Sequence, residues 1–127
     1  MKKLLIADDE LYMRTLLEQT LEEIETHDIE ILIAEDGEEA VNMALTEHPQ
    51  VILLDIMMPK LDGFQVCRRI KEDYRKQGLE EPTILILTAR GQDIDFEQGQ
   101  AVGADCYMTK PFKPDTLYDK VYSCFSS

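Results

Sequence analysis

Two unbroken apolar runs, Leu4-Leu5-Ile6-Ala7 and Val51-Ile52-Leu53-Leu54, each stop abruptly at acid: Asp8-Asp9-Glu10 after the first, Asp55 after the second. Runs this short, without polar alternation, read as strands covered on both faces, as in a parallel sheet. A carboxylate at the end of such a strand stands at the mouth of a crevice, where it is available for chemistry. Two further runs end in Thr88 and, one step removed, in Lys110. Acid, acid, hydroxyl and cation are thereby expected at one edge of one sheet.

The segments between the runs have helical spacing. Met13, Leu16, Leu17, Thr20, Leu21 and Ile24 form one apolar stripe, and Ala40, Val41, Ala44 and Leu45 a second, stopped by Pro49. Phe64, Cys67, Ile70 and Tyr74 mark a third helix ending near Gly78. A weaker helix is expected over 94–102, with Gly99 inside it and Gly103 after it. Pro114 suits the first turn of a last helix with Leu117, Val121, Cys124 and Phe125 on its inner face. The remaining strands are Ile29 to Ala34, Thr83 to Leu87 and Cys106 to Met108. Five βα units with short loops make an α/β fold, a doubly wound five-stranded parallel sheet with five helices on both faces. Right-handed crossovers favour the flavodoxin-like order 2-1-3-4-5, which sets strands one and three side by side. Ligands of such sheets bind beyond the carboxyl ends of the strands, where the winding reverses. Asp9 and Asp55 fall there.

The 127 residues amount to one domain, 1–127. Thirteen Lys and Arg against twenty-six Asp and Glu leave a net charge of −13. So acidic a surface repels phosphate backbones and anionic lipid, which argues against direct nucleic-acid binding by this domain and against membrane association. Cys67, Cys106 and Cys124 lack metal-ligand spacing and read as reduced, mostly buried thiols. The apolar stretch after Lys2-Lys3 is too short for a signal peptide or a membrane span, so a cytoplasmic protein is expected.

Three carboxylates in one crevice repel each other, and a divalent cation relieves the repulsion. Mg²⁺ takes oxygen ligands and keeps several waters. Asp9 and Asp55 are the expected direct ligands, with the backbone carbonyl of Met57 as a third and Asp8 acting through a water. For Glu10 a solvated place at the start of the first helix is the better reading. Asp55 can attack phosphorus to form an acyl phosphate. That reaction needs alignment and neutralised charge, which Lys110 and the Thr88 hydroxyl supply, while the small Ala89 leaves the phosphoryl site open. A cis Lys110-Pro111 bond would aim the lysine inward.

These elements resemble the receiver domain of two-component response regulators. The matching residues are Asp8-Asp9, the run Asp55-Ile56-Met57-Met58-Pro59-Lys60-Leu61-Asp62-Gly63, Thr88-Ala89 and Lys110-Pro111-Phe112, and the likeness covers essentially the whole chain. Chemotaxis members of that family have the 2-1-3-4-5 order, so topology and resemblance are one expectation, not two. The resemblance implies a signalling switch rather than a turnover enzyme. Asp55 would take a phosphoryl group from a histidine of a sensor kinase or phosphotransfer protein. Mg²⁺ would be held by the residues named above, and Thr88 and Lys110 would contact the phosphoryl group. Thr88 and Tyr107 would form the switch, reshaping the face made by the fourth helix, fifth strand and fifth helix for a downstream effector, an output domain or a homodimer partner. Met57 and Arg90 would tune phosphoryl lifetime.

Two other classes fit less well. An aspartyl phosphohydrolase wants a second acid two residues after the nucleophile, and position 57 is Met. A flavin module wants a hydroxyl- and Gly-rich loop after the first strand, where acid stands. Tyr12, Tyr118, Tyr122 and Phe125 are expected in core or half-exposed packing. His27 and His48 are expected at the surface, without the partners of a general base.

Overall fold

The computed structural model describes residues 1–56, 63–89 and 103–125. Five strands, β1 (Lys2–Ala7), β2 (Ile29–Ala34), β3 (Val51–Asp55), β4 (Thr83–Ala89) and β5 (Cys106–Lys110), form one sheet. All pairings are parallel, in the order β2-β1-β3-β4-β5. Among the described residues four α-helices accompany them: α1 (Leu11–Leu21), α2 (Gly37–Glu47), α3 (Gly63–Lys76) and α4 (Pro114–Phe125). The count differs by one from the five expected, and the helix expected over 94–102 lies outside the described residues.

Alternation along the strands divides the core in two. Leu5, Ala7, Ile52, Leu54, Ile84 and Ile86 pack on one face with α2 and α3. Leu4, Ile6, Val51, Leu53, Leu85 and Leu87 pack on the other with α1 and α4. The central strands are therefore apolar through their middles, at Leu4–Ala7, Val51–Leu54 and Ile84–Leu87, because both of their faces are covered there.

Local chemistry sets the helix ends. The Asp36 side chain accepts from the Glu39 N–H at 2.9 Å and caps α2. Gly78, at φ +68°, lets the chain leave α3, with its N–H donating to the Arg75 carbonyl at 3.1 Å. The stripe expected to run through Ile24 does so in two pieces, since α1 ends at Leu21 and a 3₁₀ helix, Glu22–His27, continues it. Ile24 is fully buried either way.

Three side chains depart from expectation. Tyr12 is 73% exposed rather than packed, because it lies off the Met13–Leu17–Leu21 stripe at the outer side of the first turn. Of the cysteines only Cys67 is buried; Cys106 and Cys124 are half-buried, at the rim of the sheet and of α4. None of the three is in a disulfide. Burial pushes the Cys67 and Cys124 thiols up to about 11, which leaves them inert at neutral pH. No helix among the described residues is long and apolar enough to cross a membrane.

Candidate phosphoryl and metal site

β1 and β3 are neighbours, with Ala7 opposite Leu54, so the acids that follow them meet at the carboxyl edge of the sheet. One carboxylate oxygen from each of Asp8, Asp9 and Asp55 lies within 4.8 Å of the others. Asp8 is fully buried and Asp55 nearly so at 6%, while Asp9 is exposed. The pocket therefore has two acids in its floor and one at its lip.

The β1–α1 turn is tightly tied. The Asp8 N–H donates to the Ala34 carbonyl at 3.2 Å, extending the β1–β2 ladder by one residue. Asp8 Oδ1 accepts from the Glu10 N–H at 2.9 Å. Asp8 is thus no solvated loop residue. Glu10 is exposed, at the start of α1, and its side chain makes no capping bond. Asp8 Oδ2 is buried without a hydrogen-bond partner among the described residues. Burial drives the Asp8 carboxyl up to about 7, the Glu10 N–H opposes this, and the charge of Asp55 adds to the rise. A buried acid with an unpartnered oxygen, clustered with two other carboxylates, is the environment a hard divalent cation relieves. The donor set is all oxygen, so the residues fit Mg²⁺.

Lys110 reaches the pocket from the end of β5. Its Nζ lies 3.0 Å from Asp55 Oδ1. The Lys110–Pro111 peptide is cis. Thr88, buried, sits near the end of β4, one residue beyond Leu87, which pairs with Asp55. Ala89 pairs with Lys110 across the β4–β5 ladder. Tyr107 is half-buried against the α2–α3 side of the core, and burial raises its phenol. The Ile56 N–H donates to the Leu87 carbonyl at 3.2 Å, and the Gly63 N–H to the Ile56 carbonyl at 2.9 Å. A β-carbon on Gly63 would stand 2.7 Å from the Asp55 carbonyl oxygen, so α3 starts directly against the strand end. Met57 and Arg90, with the segment 57–62, lie outside the described residues, as does the Ala89 side chain.

Of the residues singled out from the sequence, the fold brings together the carboxylates of Asp8, Asp9 and Asp55 and sets Lys110 against Asp55. Sequence reasoning missed Arg14, whose Nη1 donates to the Asp8 carbonyl at 3.1 Å. An arginine four residues into a helix carries no local signal of such a contact.

The family profile described as response regulator receiver domain matches residues 4–122. The alkaline phosphatase synthesis transcriptional regulatory protein PhoP of Bacillus subtilis is 47% identical over 120 residues, which cover 94% of this chain and 47% of that protein. The chain thus spans about half the length of the curated relatives it matches. Among solved structures, the receiver domain of the Francisella response regulator 1452 is 32% identical, with a TM-score of 0.81 over 99% of this chain and 98% of that one. The receiver domain of the Pseudomonas aeruginosa sensor histidine kinase PA1611, with a magnesium ion coordinated in its active-site cleft, is 26% identical, with a TM-score of 0.82 over 99% of this chain and 98% of that one.

Proposed function

This chain belongs to the family of response regulator receiver domains, and from that premise we propose that Asp55 is the residue that accepts its phosphoryl group. One observation carries the assignment. Of the three clustered carboxylates, Asp55 alone has the Lys110 ammonium within hydrogen-bond reach among the described contacts. A nucleophile here needs that second cation, because the incoming phosphoryl group brings negative charge into an already acidic pocket.

In the proposed reaction an Asp55 carboxylate oxygen bonds to the phosphorus of a phosphohistidine. The phosphorus–nitrogen bond breaks, and its electron pair returns to the imidazole nitrogen, which takes up a proton from solvent. Lys110 shifts from Asp55 Oδ1 to a phosphoryl oxygen as charge moves there. The Thr88 hydroxyl, buried at the end of β4, donates to another oxygen. Mg²⁺, held by Asp9, Asp55 and the Met57 carbonyl, with Asp8 acting through a water, would neutralise further charge on the phosphoryl group. Asp55 and Asp8 are buried in the floor of the pocket, while the exposed Asp9 marks its open side.

The donor is a sensor histidine kinase or phosphotransfer protein. Leu11 and Tyr12, both strongly exposed and just after the acidic turn, offer it an apolar seat beside the pocket. The signal leaves through Thr88 and Tyr107. Drawing Thr88 toward the phosphoryl group frees space beside β4 for the half-buried Tyr107 ring, two residues before the pairing partner of Thr88. The reshaped face of β5 and α4 then engages an effector, an output domain or a second copy. The chain acts in the cytoplasm as a single receiver domain over 1–127, and Met57 and Arg90 set phosphoryl lifetime.

The test is incubation with acetyl phosphate and Mg²⁺, followed by intact-mass and peptide analysis. One acid-stable, hydroxylamine-labile phosphoryl group is expected, absent from Asp55→Asn. An adduct that survives this substitution, or none on the wild type, refutes the assignment.

A further inference from the structure

We propose that Arg14 is a positioning residue for the acidic pocket: it locks the β1–α1 turn so that Asp8 and Asp9 are held for the cation before the cation arrives. The inference rests on the pocket being a Mg²⁺ site and assigns part of its affinity to a residue that touches neither metal nor phosphoryl group.

The energetic problem is plain in the metal-free pocket. Three carboxylate oxygens lie within 4.8 Å of each other, so the turn bearing two of them is pushed away from Asp55. Something other than the cation has to oppose that push. The Asp8 N–H is bound to the Ala34 carbonyl and Asp8 Oδ1 to the Glu10 N–H. The Asp8 carbonyl is held by Arg14 Nη1 at 3.1 Å.

The other arm of the guanidinium, Nη2, lies 3.5 Å from Glu35 Oε1, just past the end of β2. Arg14 thus spans three elements: its own helix, the end of β1 and the end of β2. Its side chain is only 12% exposed. Its contact with Asp8 is to the main chain, which leaves the Asp8 carboxylate to the pocket. A charge-assisted donor on a carbonyl is stronger than a neutral one. The Glu35 arm, by contrast, is long and 65% exposed on the acid side, so it orients the guanidinium rather than anchoring the turn.

The fork geometry explains the residue type. Lysine carries the charge but has one compact donor group and cannot reach a carbonyl and a carboxylate in one plane. Arg14→Met keeps most of the apolar stem and removes both arms.

Mg²⁺ titration by calorimetry, with amide hydrogen exchange on the metal-free protein, tests the role. Outer contacts that orient metal ligands are worth roughly ten- to a hundredfold in affinity, and Arg14→Met is expected to lose about tenfold. Arg14→Lys should recover part of that loss. In the absence of metal, exchange at the Glu10 amide should quicken in Arg14→Met, while amides of β3 stay protected. The phosphorylation rate lost at low Mg²⁺ should return as Mg²⁺ is raised. Wild-type affinity in both variants, or unchanged exchange at Glu10, overturns the proposal while leaving the phosphoryl site standing. A wild-type protein that binds no Mg²⁺ removes both together.

Discussion

The Lys110 ammonium sits 3.0 Å from Asp55 Oδ1, joining the ends of β5 and β3 across the end of β4. In the proposed reaction this pair holds the lysine where a phosphoryl oxygen on Asp55 would be met. Lys110→Ala is therefore expected to slow phosphorylation of Asp55 by acetyl phosphate by about a hundredfold, the usual effect of deleting one preorganised donor. Single-turnover kinetics at saturating Mg²⁺ provide the measurement. A rate close to wild type would show that the lysine serves only to neutralise the resting carboxylate.

Asp8 makes the stability of the metal-free protein depend on pH in a defined direction. Its carboxyl titrates near pH 7 in the folded chain, against the ordinary value of 3.8. Between those values the folded state binds more protons than the unfolded state. The stability this group confers is full below about pH 4 and lost as pH rises to about 7. Asp8→Asn, which resembles the protonated acid, should leave metal-free stability nearly unchanged at pH 4 and raise it at pH 8 by roughly 1–3 kcal/mol. Urea unfolding with a chelator present, at the two pH values, reads the difference. A loss of stability at pH 8 would contradict the burial argument. Added Mg²⁺ should stabilise the wild type at pH 8 far more than the variant.

The legible part of this chain is the part with continuous or periodic signals. The runs at Leu4–Ala7 and Val51–Leu54 reveal two central strands, because being covered on both faces leaves no polar position to confuse the reading. Asp8, Asp9, Asp55, Thr88 and Lys110 stand out in the sequence because each lies at or just beyond the end of such a run. The 3₁₀ continuation after Leu21 was hidden, since Ile24 satisfies either spacing. The contacts of Arg14 and Lys71 were hidden for another reason. Their partners are carbonyls and carboxylates brought close only by tertiary folding, and a lone cation on a helix does not announce them. Tyr12 was misjudged through its apolar ring, although its place off the stripe was there to be read.

Two glycines that look alike in sequence should behave differently. A β-carbon at Gly63 would lie 2.7 Å from the Asp55 carbonyl oxygen and 2.9 Å from Ile56 Cα, both backbone atoms of the strand end. Gly78 has open space around it and only its φ of +68° to defend. Gly63→Ala should cost about 1–3 kcal/mol by overpacking and also slow Asp55 phosphorylation, because the strand end must move. Gly78→Ala should cost about 1 kcal/mol through the left-handed backbone alone, with phosphorylation untouched. Equilibrium unfolding and phosphorylation rates on both variants decide it. Equal phosphorylation in Gly63→Ala and wild type would mean the strand end tolerates the shift.

Tyr107 tests the switch. If its ring relays the event at Asp55, Tyr107→Ala should take up phosphate at close to the wild-type rate. It should then fail to convert that modification into partner binding or dimerisation. The expected loss is the phosphorylation-dependent gain itself, read by sedimentation or by titration with the downstream partner. Identical gains in phosphorylated mutant and wild type would assign Tyr107 to packing alone.

Lys71 is the one lysine buried among the described residues, 5% exposed on α3. Its Nζ donates to the Pro82 carbonyl at 3.0 Å and to Asp105 Oδ2 at 2.9 Å. The same Asp105 oxygen accepts from the Ile84 N–H at 2.8 Å, so one ion pair pins α3, the start of β4 and the approach to β5. Removing the lysine leaves the Pro82 carbonyl without that donor, but Asp105 is 42% exposed and can be rehydrated. Lys71→Met, matched in length, should cost about 1–3 kcal/mol, less than a fully buried pair would. Asp105→Asn should cost less still, since it keeps an oxygen for the Ile84 N–H. The order of the two losses in urea unfolding is the measurement. A larger loss for Asp105→Asn would place the strength of this junction in the charge of Asp105 rather than in the buried lysine.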